Sequence, residues 1–133
     1  MRIKTKLNLA VGLLALLIIV LSLISAHYIY SIKKDTQNIL KDNYETIEYS
    51  RNMLMALDHY AIDKEKSIVD FEQNLKKQFK NCTEKSERAQ TEKLSANFEL
   101  LKKNELSEPL KSLIHQNIFD IMRLNMDAIK LKN

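Results

Sequence analysis

The chain carries one glycine, Gly12, and one proline, Pro109, in 133 residues. Hairpins, phosphate-cradling loops and tight catalytic turns lean on glycine for backbone conformations that other residues resist. Gly12 lies inside an uncharged apolar run from Leu9 to Ala26, so everything after that run has no glycine at all. A chain with these constraints folds as helices, and the expected fold class is all-α.

The apolar run is preceded by Arg2, Lys4 and Lys6 and followed by His27, Tyr28 and Tyr30. From Leu7 to Ile29 a helix rising ~1.5 Å per residue covers about 33 Å, enough to cross a bilayer core of roughly 30 Å. A cytoplasmic excess of Lys and Arg orients a span, which places the amino terminus in the cytoplasm and the rest outside. Tyr28 and Tyr30 then fall at the outer headgroup level, where amphipathic rings are favoured. The expected organisation is a basic tail over 1–6, a transmembrane helix over 7–30 and an extracytoplasmic domain over 31–133. The expected location is a membrane. A cleavable signal peptide ending at Ile24-Ser25-Ala26 is the competing reading, but the apolar run exceeds the usual signal core of about 7 to 15 residues.

The formal net charge is +4, from 21 basic and 17 acidic residues. The three cations of the tail account for most of it, leaving residues 27–133 at +1. The basicity is therefore a topology signal, and no basic stripe interleaved with aromatic residues marks a nucleic-acid partner. The one cysteine, Cys82, permits no internal disulfide.

Periodicity divides the exterior part into four helices, expected over 31–62, 66–81, 86–104 and 107–133. The first carries Ile32, Thr36, Ile39, Ile47, Ser50, Leu54, Leu57 and Ala61 at spacings of three and four. No breaker separates it from the membrane span, so one continuous helix is expected. A turn is expected around Asp63 to Ser67, where the apolar phase is lost. Ile68, Phe71, Leu75 and Phe79 mark the second helix, and Leu94, Phe98 and Leu101 the third. Ser107-Glu108-Pro109 opens the fourth, with a capping hydroxyl, an acid and a proline in the first turn. Short connections make successive helices antiparallel, giving an up-down-up-down four-helix bundle.

The last helix is apolar over a wide arc, including Ile118, Phe119, Ile121, Met122, Met126, Ile129 and Leu131. One neighbouring helix cannot cover so much, which suggests a parallel homodimer. Asn43 and Asn125 interrupt the apolar arcs of the first and fourth helices at equivalent distances from the turnarounds, and are expected at one height as a polar pair. Such a pair either fixes register or acts as a polar hinge in signalling.

The sequence offers little catalytic chemistry. His27, His59 and His115 have no partner at metal-ligand spacing, and no cofactor, metal site or catalytic residue is expected. Arg51, beside Tyr49, is the one candidate for an anionic ligand, because a guanidinium matches a carboxylate; a solvated or salt-bridged role is the alternative.

Four stretches carry a family resemblance: Met1-Arg-Ile-Lys-Thr-Lys-Leu-Asn-Leu9, Ile39-Leu-Lys-Asp-Asn-Tyr44, Tyr49-Ser-Arg-Asn-Met-Leu54 and Ile118-Phe-Asp-Ile-Met-Arg-Leu-Asn-Met-Asp-Ala-Ile129. With the apolar span, they resemble the amino-terminal sensor region of bacterial two-component sensor histidine kinases, in an outline that chemoreceptor bundles share. The resemblance implies a periplasmic helical sensor that continues, beyond Asn133, into a second span, a linker, a histidine-bearing dimerisation domain and an ATP-binding domain. These 133 residues contain no His followed by Glu or Asp and no glycine-rich nucleotide lid, so kinase activity is not expected of them. A chemoreceptor-type ligand-binding domain and a membrane-tethered helical scaffold without an output domain remain the alternatives. The stimulus, small molecule or protein, is not identified by the sequence.

Overall fold

The structure, a computed structural model, describes residues 2–83, 85–104 and 107–132. Four helices follow in order: α1 (Ile3–His59), α2 (Lys64–Asn81), α3 (Lys85–Lys103) and α4 (Glu108–Lys132). Among the described residues there is no strand and no positive φ, as a glycine-poor chain requires. Met1 of the basic tail and Asn133, the expected end of the fourth helix, lie outside the described residues.

The chain divides into two compact units, Met1–Asn38 and Ile39–Asn133. In the first, every residue from Arg2 to Asp35 is exposed. It holds the only stretch among the described residues that is long and apolar enough to cross a membrane. Ser22 satisfies its hydroxyl by donating back to the Ile18 carbonyl at 2.8 Å, the usual way to keep a hydroxyl on an apolar helix.

In the second unit, contacts between side chains give the direction of each helix. Asn52 meets Asn74 and Asp42 meets Asn81, so α1 and α2 run antiparallel. Phe71 stacks on Phe98 and Gln78 meets Glu87, and Asn97 meets Asn117 while Glu87 meets Asn125. Each successive pair is antiparallel, and the bundle is up-down-up-down.

Helix ends depart from the expected bounds for local reasons. α1 stops at His59, and the turn is closed by the Ile62 and Asp63 amides, which both donate to the His59 carbonyl. α2 then starts at Lys64, inside the expected turn, because the Asp63 carboxylate accepts the Lys66 amide at 3.1 Å and caps the helix. Ser107 caps α4 in the same way, through the Leu110 amide at 3.4 Å.

The core is built on Met53, Leu57, Phe71, Leu94, Phe98, Leu101, Ile114, Ile118 and Ile121, all 1 % exposed or less. The Phe71 and Phe98 rings stack at 4.0 Å with planes 11° apart, and the Tyr60 hydroxyl reaches the Leu101 carbonyl at 3.4 Å. On α1 the buried stripe differs from the expected one. Asn43, Thr46, Ser50, Met53, Ala56 and Leu57 face inward, whereas Ile32 is exposed, Ile47 and Leu54 are half-buried, and Ala61 lies exposed in the turn after the helix. Ser50 and Leu57 of the expected stripe do face inward; the difference is that Thr46, Met53 and Ala56 hold inward positions while the expected Ile47 and Leu54 sit at the edge of the buried face. On α4, Ile118, Ile121 and Ile129 are buried, while Phe119 and Met126 remain 52 % and 45 % exposed.

A buried polar layer as candidate functional site

The α2–α3 end of the bundle is packed differently. Glu87, in the first turn of α3, is 4 % exposed. Its Oε1 accepts three hydrogen bonds, each from a different helix: Thr46 Oγ1 of α1 at 3.2 Å, Gln78 Nε2 of α2 at 2.9 Å and Asn125 Nδ2 of α4 at 3.0 Å. Its Oε2 receives the Thr83 amide at 3.4 Å. One carboxylate thus ties all four helices to a single height.

Burying a carboxylate without a partner is costly, and among the described residues no Lys or Arg forms an ion pair with Glu87. The compensation comes from the three donors and from the amino-terminal end of α3, whose partial positive charge favours an anion in its first turn.

Further polar contacts adjoin this carboxylate. Asn81 Nδ2 donates to the Asp42 carbonyl at 2.6 Å and to Thr46 Oγ1 at 3.0 Å, joining α2 to α1. Thr91 donates back to the Glu87 carbonyl at 2.9 Å and lies 3.4 Å from Cys82 Sγ. Burial pushes the Cys82 thiol up from its ordinary pKa. The Thr91 contact partly offsets this, and the Glu87 charge adds to it. On the same stretch of α1 and on α2, Asn43 Nδ2, Ser50 Oγ and Gln78 Oε1 are buried with no hydrogen bond among the described residues.

The expected polar residues take separate places. Asn43 and Asn125 are both buried, 5 % and 3 % exposed, but they do not pair. The Asn125 amide is committed to Glu87 and to the Ile121 carbonyl at 2.9 Å, and Asn43 Nδ2 has no partner among the described residues. The physical reason is charge: a carboxylate attracts an N–H donor more strongly than a neutral amide oxygen does.

Arg51 is exposed on α1 and forms no ion pair among the described residues. Arg2, Lys4, Lys6, Tyr28 and Tyr30 are exposed in the first unit. His59 donates from Nδ1 to the Met55 carbonyl at 2.9 Å, and His115 lies 3.7 Å from Asp58.

Sequence reasoning missed Glu87 itself. The signal was present, since positions 87, 91, 94, 98 and 101 continue one inward stripe, but a Glu flanked by Lys85 and Arg88 reads as a solvated face.

A sensory helical bundle fits this architecture, and the comparison with known families agrees. Residues 1–121 match the model of the four helix bundle sensory module for signal transduction. The chain belongs to that family. No curated protein and no solved structure matches it.

Proposed function

We propose that this chain is the signal-input module of a bacterial inner-membrane receptor, with residues 1–6 cytoplasmic and the bundle extracytoplasmic. Its output, in this reading, is a two-component histidine kinase. The family match over residues 1–121 carries the sensory assignment. The resemblance of the segments around Tyr49 and Ile118 supports a kinase parent. A chemoreceptor parent is the second reading, favoured by the chemoreceptor type of the matched bundle.

The polar layer supplies a physical basis for two states. A stimulus shifts an equilibrium only through different affinity for the two packings, and displacements of about 1 to 2 Å between packed helices are a common form of such a change. Gln78, which donates to Glu87, keeps a buried oxygen without a partner among the described residues, and Asn43 and Ser50, on either side of Thr46 on α1, keep one unpartnered atom each; these atoms offer α1 and α4 an alternative set of hydrogen bonds.

The unit acts as a parallel homodimer in this reading. Tyr44, Ile47, Met126 and Ile129 line an apolar groove of about 300 Å³ between α1 and α4, and exposed Phe119 extends the same kind of surface. Sedimentation of the full chain in detergent is expected to give twice its mass of 15.5 kDa.

The reading frame beyond Asn133 tests the assignment. A second apolar span followed by a His-Glu or His-Asp motif is expected. A long methyl-accepting coiled coil in its place selects the chemoreceptor parent, and an immediate stop codon overturns both.

A further inference from the structure

Away from the polar layer, beside the α1–α2 turn, a cavity of about 520 Å³ lies between those two helices. Met55 and Ala56 give it an apolar side, and the rest of its lining is rich in hydrogen-bond acceptors. The half-buried Asp70 carboxylate takes part in no ion pair and no hydrogen bond among the described residues. Asp63 uses one oxygen to cap α2, and its other oxygen has no hydrogen bond among the described residues. His59 donates from Nδ1 to a carbonyl, which leaves Nε2 of the neutral ring as an acceptor.

An independent feature points to a ligand. Ser67 lines the cavity and is 4 % exposed, and its hydroxyl has no hydrogen-bond partner among the described residues. A polar group bound in the cavity would give this hydroxyl the partner that the protein does not supply.

We propose that this cavity binds a small organic cation: a primary ammonium group on a short apolar body. The ammonium brings three N–H donors and no acceptor, matching Asp70, Asp63, His59 Nε2 and Ser67 Oγ, while the apolar body lies against Met55 and Ala56. An anion is disfavoured. The amino-terminal turn of α2, which would attract one, is already occupied by the Asp63 carboxylate, and Asp70 repels it. Lys66, the one cationic side chain in the lining, is exposed, and its long stem extends to water.

Binding at the cavity stands on this geometry; its role as the stimulus rests on the sensor reading above. The test is amide-resolved NMR of the full chain in detergent micelles, titrated separately with n-butylammonium chloride, sodium butyrate and n-butanol. Saturable shifts of the Ser67 and Asp70 amides with butylammonium alone are expected. Asp70→Asn should weaken binding about tenfold, the equivalent of one charge-assisted hydrogen bond. Asp63→Asn, which keeps a good capping side chain, should weaken it in the same direction while leaving α2 intact. An equal response to butanol, a stronger response to butyrate, or no saturable response to butylammonium overturns the proposal. Because binding is read at the cavity and not through an output, such a failure removes this site and leaves the sensor assignment to its own test.

Discussion

The two ends of the bundle are held by opposite means. Near the α1–α2 turn the helices meet through Phe71, Phe98, Leu101 and Ile114, apolar side chains whose contacts have no direction and tolerate changes of partner. Near the α2–α3 turn they meet through hydrogen bonds that converge on one oxygen of Glu87, where angle and distance decide which partner is accepted. The apolar end supplies stability. The polar end supplies a discrete choice of register, which a sensory bundle needs if two packings are to be distinct rather than graded.

This contrast can be broken most forcefully at its apolar side. Phe98→Ala removes a fully buried ring and its stacked contact, with an expected loss of about 3 to 5 kcal/mol, read from chemical denaturation of the full chain in detergent by circular dichroism. Glu87→Gln is expected to cost less, about 1.5 to 3 kcal/mol, because volume is kept while the charge that attracts three donors is lost. Its signature sharpens the comparison: amide shifts should spread over Thr46, Gln78 and Asn125 on three different helices, whereas those of Phe98→Ala should centre on the apolar end.

The smallest effect concerns the rim of the apolar end. Lys102 donates to Glu72 at 2.7 Å and pairs with Glu99, and the hydrogen bonds to Glu72 and then Glu99 hold its pKa above the usual lysine value. With the folded pKa raised, the contribution of Lys102 is fully present below the unfolded value and is lost as pH rises through the folded one. The stability difference between the wild type and Lys102→Met should therefore be at most about 1 kcal/mol at neutral pH and should vanish in strong alkali. A difference that persists there would assign the effect to the packing of the lysine stem on Phe98, over whose ring the ammonium sits at 5.6 Å.

The helical architecture was legible because few residues in the chain could do anything else, and because Ser107-Glu108-Pro109 is an explicit start signal. The site was much less so. Periodicity placed Ser50 on the inward face and Asn43 within the apolar arc of α1, but it passed over Thr46, which is buried between them. Charge arguments assign acids to the surface, and Glu87 is buried by donors from helices distant in sequence, 41 residues away for Thr46 and 38 for Asn125. Asp63 was read as part of a turn, although the cap it provides is what allows α2 to begin immediately after it. Glu87 is the clearest case of what the sequence concealed, a polar group whose meaning depends on partners from other segments.

The thiol of Cys82 has a use that follows from its place. It is the chain's only cysteine, its sulfur lies 3.3 Å from the Gln78 carbonyl and 3.4 Å from the Thr91 hydroxyl, and its raised pKa keeps the proton on sulfur at neutral pH. The S–H stretching vibration absorbs in an infrared window where no other protein group does, and its frequency follows the strength of the hydrogen bond it donates. This protein therefore contains a label-free spectroscopic probe beside the Glu87 layer, one that would register a change of partner there as a shift of a single isolated band.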